Sequence, residues 1–215
     1  MDHTSTKPNS QSPVHTPISQ RSQAESGGWI RGVVFTALFA ALFIAFGYVS
    51  IPLGFTAVPI TLQTFAIMLA GGLLGARYGF YSIGIVVLLT ALGLPLLHGN
   101  GGLSTVFGPT GGYIWMFPLS ALLIGLASDR IFARSNKLNG MQVSLLFLSL
   151  VLFSVLLAYV GGVPWLAYKA KLSFHEAMVS GCYPFLLGDM VKAVAATILI
   201  PILRQQLPKM TFLNN

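Results

Sequence analysis

Charged residues are scarce in this chain, at 8% of 215 residues, whereas 54% are hydrophobic. An ordinary soluble domain carries about 25% charged residues, so a chain of this size cannot cover a soluble surface with so few. The hydrophobic residues also fall in long blocks. The sequence therefore predicts an integral membrane protein with one main domain.

Cysteine, acidic residues and catalytic motifs are also nearly absent. Cys182 is the only cysteine, which excludes an internal disulfide and a cysteine-cluster metal site. Only Asp129 and Glu176 accompany Asp189 in the hydrophobic region, too few for catalysis by paired carboxylates. The chain has no P-loop, no G-x-S-x-G elbow and no H-E-x-x-H motif. We therefore expect neither an enzyme nor a cofactor or metal site.

The polar N-terminal segment 1–28 is predicted to be disordered, and it is not a signal peptide because hydrophobic residues begin only near Trp29. The transmembrane domain is predicted over residues 29–207, followed by a short C-terminal tail, 208–215. Two prolines within 51–59 indicate a re-entrant or partly unwound segment. Six hydrophobic blocks predict an all-α protein with six transmembrane helices, at residues 30–50, 60–76, 78–97, 113–128, 141–162 and 177–203.

The net charge of +7 comes from basic residues scattered singly at the ends of these blocks, a pattern that sets topology and does not indicate nucleic-acid binding. With a cytoplasmic N-terminus, only Lys169 and Lys171 lie outside. The inside then carries nine basic residues: Lys7, Arg21, Arg31, Arg77, Arg130, Arg134, Lys137, Arg204 and Lys209. The sequence thus predicts cytoplasmic N- and C-termini.

Two opposite charges, Asp189 and Lys192, interrupt the last hydrophobic block. A charge at the centre of a membrane helix costs about 2.5–3.5 kcal/mol on insertion scales. A spacing of three residues places both side chains on one face of a helix. They either bind a polar ligand or form an internal salt bridge that only joins helices. Because charges inside a membrane are usually functional, the first interpretation, ligand binding, is favoured.

Other polar and aromatic residues stand near the predicted outer ends of the spans. Asn100 and Thr110 lie in a glycine-rich stretch, 98–113, that suits close approach to a small polar ligand or merely folds back on the bundle. Gln63 either contacts a ligand or bonds a neighbouring helix. Trp165 and Tyr168, in a predicted outer loop, suit a lid over an apolar ring or an aromatic belt at the membrane interface.

Ala37, Ala41 and Ala45 recur every four residues in the first span. They place small residues on one face, which a partner helix or a helix of the same bundle can approach closely.

Four segments resemble the BioY family, the biotin-specific S components of energy-coupling factor (ECF) transporters. The segments are Val58-Pro-Ile-Thr-Leu-Gln63, Gly93-Leu-Pro95, Gly108-Pro-Thr-Gly-Gly-Tyr113 and Gly188-Asp-Met-Val-Lys192, and the similarity covers roughly residues 30–205. It implies a six-helix S-component bundle in the cell membrane of a prokaryote that captures biotin. It also implies a transmembrane coupling subunit and two ABC-type ATPases as partners, with Ala37, Ala41 and Ala45 contacting the coupling subunit. Some members of the family are thought to work alone.

For biotin, the resemblance implies polar contacts from Asp189 and Lys192, with Gln63, Asn100 and Thr110 in support. Tyr113, Trp165 or Tyr168 would then cover the ring. Where the family commonly has Ala-Gly-Gly after Leu-Pro, this chain has His98-Gly99-Asn100, so it departs from the family pattern in this loop. The alternatives are a self-sufficient secondary transporter with Asp189 as a proton relay, and a scaffold or membrane enzyme that binds no biotin.

Overall fold

The computed structural model describes residues 18–133 and 138–206, with side chains from residue 29 onward. Within these ranges the chain is almost entirely helical. The predicted C-terminal tail, 208–215, and residues 1–17 of the predicted N-terminal tail lie outside the described residues. The first helix begins at Ile18, eleven residues before the boundary predicted at Trp29, so the hydrophobic span starts inside a longer helix.

Eight α-helices, one π-helical segment and two short strands follow in chain order in this part of the chain. They are α1 (Ile18–Tyr48), β1 (Ser50–Ile51), β2 (Ile60–Thr61), α2 (Gln63–Ala91), α3 (Leu103–Val106), α4 (Gly111–Ile131), α5 (Gly140–Leu150), the π-helical segment Val151–Leu156, α6 (Leu157–Ala170), α7 (Phe174–Gly181) and α8 (Tyr183–Gln206). The strands pair antiparallel, with Ser50 opposite Thr61. They bracket the proline-containing segment that was predicted to be unwound.

Five helical stretches of the described residues are long and apolar enough to cross a membrane: Trp29–Tyr48, Gln63–Ala91, Gly111–Ile131, Gly140–Ala170 and Tyr183–Gln206. The second of these is not one straight helix. Gly75 has φ 77° and ψ −176°, a conformation that glycine adopts without a steric penalty. A Cβ added to Gly79 would lie 3.0 Å from the Cα of Gly71. Residues eight apart in a continuous helix are separated by about 12 Å along the axis, so the two halves of α2 fold back on each other.

This hairpin accounts for the second and third of the six predicted spans. The prediction of an all-α membrane bundle is confirmed, with five long helices, one of which is broken in two. The break at Gly75 lies two residues before the boundary between the predicted blocks 60–76 and 78–97, because the positive φ favours glycine at the break itself. The last predicted block is also divided, since Cys182 has φ −131° and ψ −64° and separates α7 from α8.

The end of the bundle that holds the Gly75 turn is fastened by an ion pair. The guanidinium of Arg204 donates to the carboxylate of Asp129 at 2.9 Å, and the other carboxylate oxygen of Asp129 accepts from the backbone N–H of Ala76 at 3.1 Å. The hydroxyl of Ser128 donates to the carbonyl of Gly72 at 2.9 Å. These contacts join α4 and α8 to the helix hairpin.

The starts of α2, α4 and α8 and the ends of α1 and α6 lie at the opposite end of the bundle. A loop there is joined to α1, because the hydroxyl of Tyr48 donates to the carbonyl of Pro95 at 2.9 Å. The ring of Phe46 in α1 stacks on Phe65 in α2. This end carries the residues that the sequence nominated for ligand binding.

Candidate ligand-binding site

Asp189 and Lys192 form a direct ion pair, with 2.9 Å between Lys192 Nζ and Asp189 Oδ1. Their side chains are only 7% and 13% exposed, respectively. Both belong to α8, and Asp189 is the seventh residue of this helix, so the pair lies nearer the helix start than the sequence suggested. The charges are therefore sheltered from solvent and lipid, as expected for charges inside a membrane bundle.

Two further side chains complete a cluster that we call the clamp: Thr64, Tyr159, Asp189 and Lys192. The hydroxyl of Thr64 donates to Asp189 Oδ1 at 3.1 Å and accepts from Lys192 Nζ at 3.1 Å. The hydroxyl of Tyr159 donates to Asp189 Oδ2 at 2.5 Å. Hydrogen bonds to an ionised group are stronger than those between neutral groups, so these contacts fix the carboxylate between α2, α6 and α8.

The hydrogen-bonding capacity of the clamp is not exhausted by these contacts. A carboxylate offers about four acceptor positions and an ammonium three donors. Among the described residues, Asp189 Oδ1 accepts from Lys192 and Thr64, whereas Oδ2 accepts only from Tyr159. Lys192 donates to Asp189 and Thr64. One acceptor position on Oδ2 and one donor on Nζ are thus not used by the described residues.

Local structure explains how the clamp members meet. Thr64 is the second residue of α2, directly after the strand β2. Tyr159 follows the π-helical segment Val151–Leu156 within a longer helical stretch. A π-helical insertion changes the direction in which later side chains point, because each residue of an α-helix advances the face by about 100°.

Gln63 lies beside the clamp in sequence and is 2% exposed. Its amide nitrogen has no hydrogen-bond partner among the described residues. A Cβ added to Gly47 would lie 2.8 Å from that nitrogen, so the amide is packed against α1. A buried unpaired donor is destabilising, and a ligand that accepts from it would remove this penalty.

The predicted aromatic lid residues occupy different environments. Tyr113 is buried, and its hydroxyl donates to the carbonyl of Gly181 at 2.7 Å. Trp165 lies within α6 and not in a loop as predicted, because the helix continues to Ala170. Its indole N–H donates to the carbonyl of Gly108 at 2.8 Å, so it fastens the glycine-rich stretch. Tyr168 is 79% exposed near the end of the same helix.

Asn100 and Thr110 lie towards the two ends of the glycine-rich stretch, 98–113. Asn100 is exposed, and its side-chain amide donates to the carbonyl of His98 at 3.2 Å. Thr110 precedes the first residue of α4 but its side chain makes no capping bond. Neither contacts the clamp through a hydrogen bond in the described residues. Their assignment to ligand binding remains a prediction.

His98 is, with Asn100, one of the two residues by which this loop departs from the family pattern. It has φ 54°, a left-handed conformation that is uncommon outside glycine. Its Nε2 is buried without a partner among the described residues, and burial lowers the pKa of His98 because the charged form loses hydration. The imidazole therefore packs against the loop as a neutral ring near neutral pH.

Thr64 and Tyr159 are functional candidates that the sequence did not reveal. Thr64 directly follows the segment Val58-Pro-Ile-Thr-Leu-Gln63, but its neighbour Gln63 drew attention as the larger polar side chain. Tyr159 was one hydroxyl in an apolar span, with no spacing that linked it to Asp189.

The three alanines of α1, Ala37, Ala41 and Ala45, are all exposed on the surface of the bundle. They are not buried by helix packing in the part of the chain that the structure describes. A small-residue face that remains open is available to another helix, although it also suits contact with lipid.

The bundle resembles a solved membrane protein in both fold and length. It matches the crystal structure of an S component for biotin from an ECF-type ABC transporter, with a TM-score of 0.75 and 30% identity, covering 89% of this chain and 96% of that one. The fold is thus that of a transporter S component, a class of multi-pass membrane proteins. Such a component is not an enzyme, as the sequence predicted.

The particular family follows from the sequence comparisons. The chain belongs to the BioY family, whose model matches residues 14–209. It is 40% identical to the biotin transporter BioY of Rhizobium etli, over 79% of this chain and 90% of that protein. It is 35% identical to the biotin transporter BioY of Lactococcus lactis subsp. cremoris, over 82% and 92% of the two chains. The predicted family resemblance is confirmed.

Proposed function

We propose that this protein is a membrane-embedded subunit that binds biotin and mediates its uptake. The observation that carries the proposal is the unused acceptor on Asp189 beside the unused donor on Lys192, in a buried clamp of a BioY-family bundle. Relatives in this family are biotin transporters by name.

The chemistry of biotin fits this pair of unused positions. Its ureido group presents an N–H donor next to a carbonyl acceptor. The N–H donates to Asp189 Oδ2, and the carbonyl accepts from Lys192 Nζ. A buried site built from polar groups discriminates strongly against ligands that leave those groups unpaired. The buried amide of Gln63 offers a further donor, for the carbonyl or for the carboxylate tail.

The remaining nominated residues serve the ligand less directly in this proposal. Tyr113 and Trp165, held by backbone carbonyls, shape the apolar surroundings of the site. Tyr168 and Asn100 are exposed and Thr110 is half-buried at the same end of the bundle, where in this proposal the ligand enters from outside the cell. The charge distribution supports this orientation, with the clamp near the outer side and both termini in the cytoplasm of a prokaryotic cell.

Transport is proposed to depend on separate ECF subunits, a transmembrane coupling protein and two ABC-type ATPases. The chain itself has no P-loop and hence no ATP site of that kind. The exposed alanines of α1 offer the docking surface, because small side chains permit a close helix–helix approach.

The test is a calorimetric titration of the purified protein with biotin, with other vitamins as matched controls. We expect saturable binding of biotin alone, and loss of binding in Asp189→Asn. Equal binding of the controls, or no heat with biotin, would overturn the proposal. Uptake by vesicles that contain this chain alone, driven by a pH gradient without ATP, would instead support a self-sufficient secondary transporter.

A further inference from the structure

A second recess lies at the opposite end of the bundle from the clamp, between α1 and the second half of α2. It is an open groove of about 470 Å³. Its lining combines one cation with aromatic and aliphatic side chains: Trp29, Val33, Arg77, Tyr78, Tyr81 and Ile85. The proposed biotin site does not use any of these residues.

The two helices that form the groove are in close contact. A Cβ added to Gly32 would collide with the phenol ring of Tyr78, so α1 rests directly on that ring. The polar group of α1 in the groove, the hydroxyl of Thr36, already donates to the carbonyl of Gly32 at 2.8 Å. The walls of the groove therefore offer apolar surface and aromatic rings, not further hydrogen-bonding groups of α1.

Arg77 supplies the charge of the groove. It follows the Gly75 turn by two residues, is exposed, and makes no hydrogen bond or ion pair within the described part of the chain. The turn marks the membrane-surface end of the helix hairpin, and Trp29 and Tyr81, at 63% and 53% exposed, stand near it. Tryptophan and tyrosine favour the level of lipid headgroups, and a guanidinium binds phosphate oxygens well.

The groove also has the depth of a lipid tail. Ile85 lies eight residues beyond Arg77, which is about 12 Å along an α-helix. One leaflet of the hydrocarbon core is about 15 Å thick. A small free anion would occupy only the Arg77 end, and an uncharged apolar molecule would leave the guanidinium unpaired.

We propose that this groove binds an anionic phospholipid, with its phosphate on Arg77 and an acyl chain along Val33 and Ile85. The aromatic rings of Trp29 and Tyr81 flank the glycerol region. This is a specific site on the lipid-facing surface, distinct from general solvation by the bilayer.

The test uses native mass spectrometry of the purified full-length protein, incubated with phosphatidylglycerol or with phosphatidylcholine of identical acyl chains. We expect about fivefold greater retention of phosphatidylglycerol, the effect of one cation near an anionic lipid. Arg77→Gln should reduce its retention to that of phosphatidylcholine. Arg130→Gln is the matched control, because it removes an exposed charge at the same end of the bundle outside the groove.

A second variant tests the groove apart from its charge. Val33→Trp fills the apolar wall and should lower the retention of both lipids, and soluble glycerol 3-phosphate should displace neither. Each variant is first shown to be monodisperse and to bind biotin as the parent protein does. Equal losses in Arg77→Gln and Arg130→Gln, or full retention by Val33→Trp, would reduce the effect to general surface charge and overturn the proposal.

Discussion

Removal of Lys192 tests whether the clamp contributes to ligand binding or to the stability of the fold. In Lys192→Met the carboxylate of Asp189 stays buried without its cation, and breaking a buried pair in this way costs about 3–5 kcal/mol. Thr64 and Tyr159 still donate to it, so we expect the lower end, about 3 kcal/mol. At 2–4 °C per kcal/mol for a chain of this size, the midpoint of thermal unfolding should fall by about 6–12 °C.

The double variant Asp189→Asn/Lys192→Met separates stability from binding. Without the carboxylate there is no unpaired charge, so most of the lost stability should return. Biotin binding should not return, because the amide that replaces the carboxylate offers only a neutral oxygen in place of the charged acceptor and the donor of Lys192 is gone. Loss of one charge-assisted bond of about 1.5–3 kcal/mol corresponds to about 10- to 150-fold weaker binding.

The assays are thermal unfolding in detergent micelles and calorimetric titration with biotin, applied to the parent, both single variants and the double variant. A Lys192→Met protein as stable as the parent would mean that the buried charge is not held by this pair. A double variant that binds biotin with the parent affinity would refute the clamp as the biotin site.

Three further predictions address other residues. Thr64→Val should weaken biotin binding by about tenfold or more, because the hydroxyl of this threonine contacts both charges. Tyr159→Phe should weaken binding less strongly. Calorimetric titration of both variants in parallel ranks the two effects, and parent-like affinities in both would count against the clamp geometry. Ala41→Trp should abolish uptake in cells that carry the coupling subunits while the titration with biotin is unchanged, and surviving uptake would place docking elsewhere. Gly75→Ala should lower stability by about 1–3 kcal/mol, because φ 77° with ψ −176° lies in a backbone region that is essentially restricted to glycine. The added Cβ would also lie 2.7 Å from Asp129 Oδ1. Thermal unfolding measures this loss, with Gly54→Ala, which meets no atom within 4 Å, as the control.

The ion pair between Asp129 and Arg204 shows why some polar contacts could not be predicted from the sequence. The two residues directly follow the predicted hydrophobic blocks 113–128 and 177–203, and single charges at such positions ordinarily meet water or headgroups. They are 75 residues apart, and only the packing of α4 against α8 makes them partners. The break at Gly75 is a similar case, because the local sequence does not show which of several nearby glycines adopts a positive φ.

The sequence by itself determined the properties that depend on composition and on neighbours along the chain. The scarcity of charge and the long apolar blocks required a membrane bundle, and a spacing of three residues was enough to place Asp189 beside Lys192, as helix geometry dictates. Tertiary structure decided what surrounds this pair. Thr64 and Tyr159 reach Asp189 across 125 and 30 residues of chain, and no local periodicity encodes contacts of that range. They arise because the hairpin of α2, the helical stretch through α6, and α8 pack into one bundle. This packing surrounds two costly charges with hydrogen bonds and leaves one donor and one acceptor unused by the described residues.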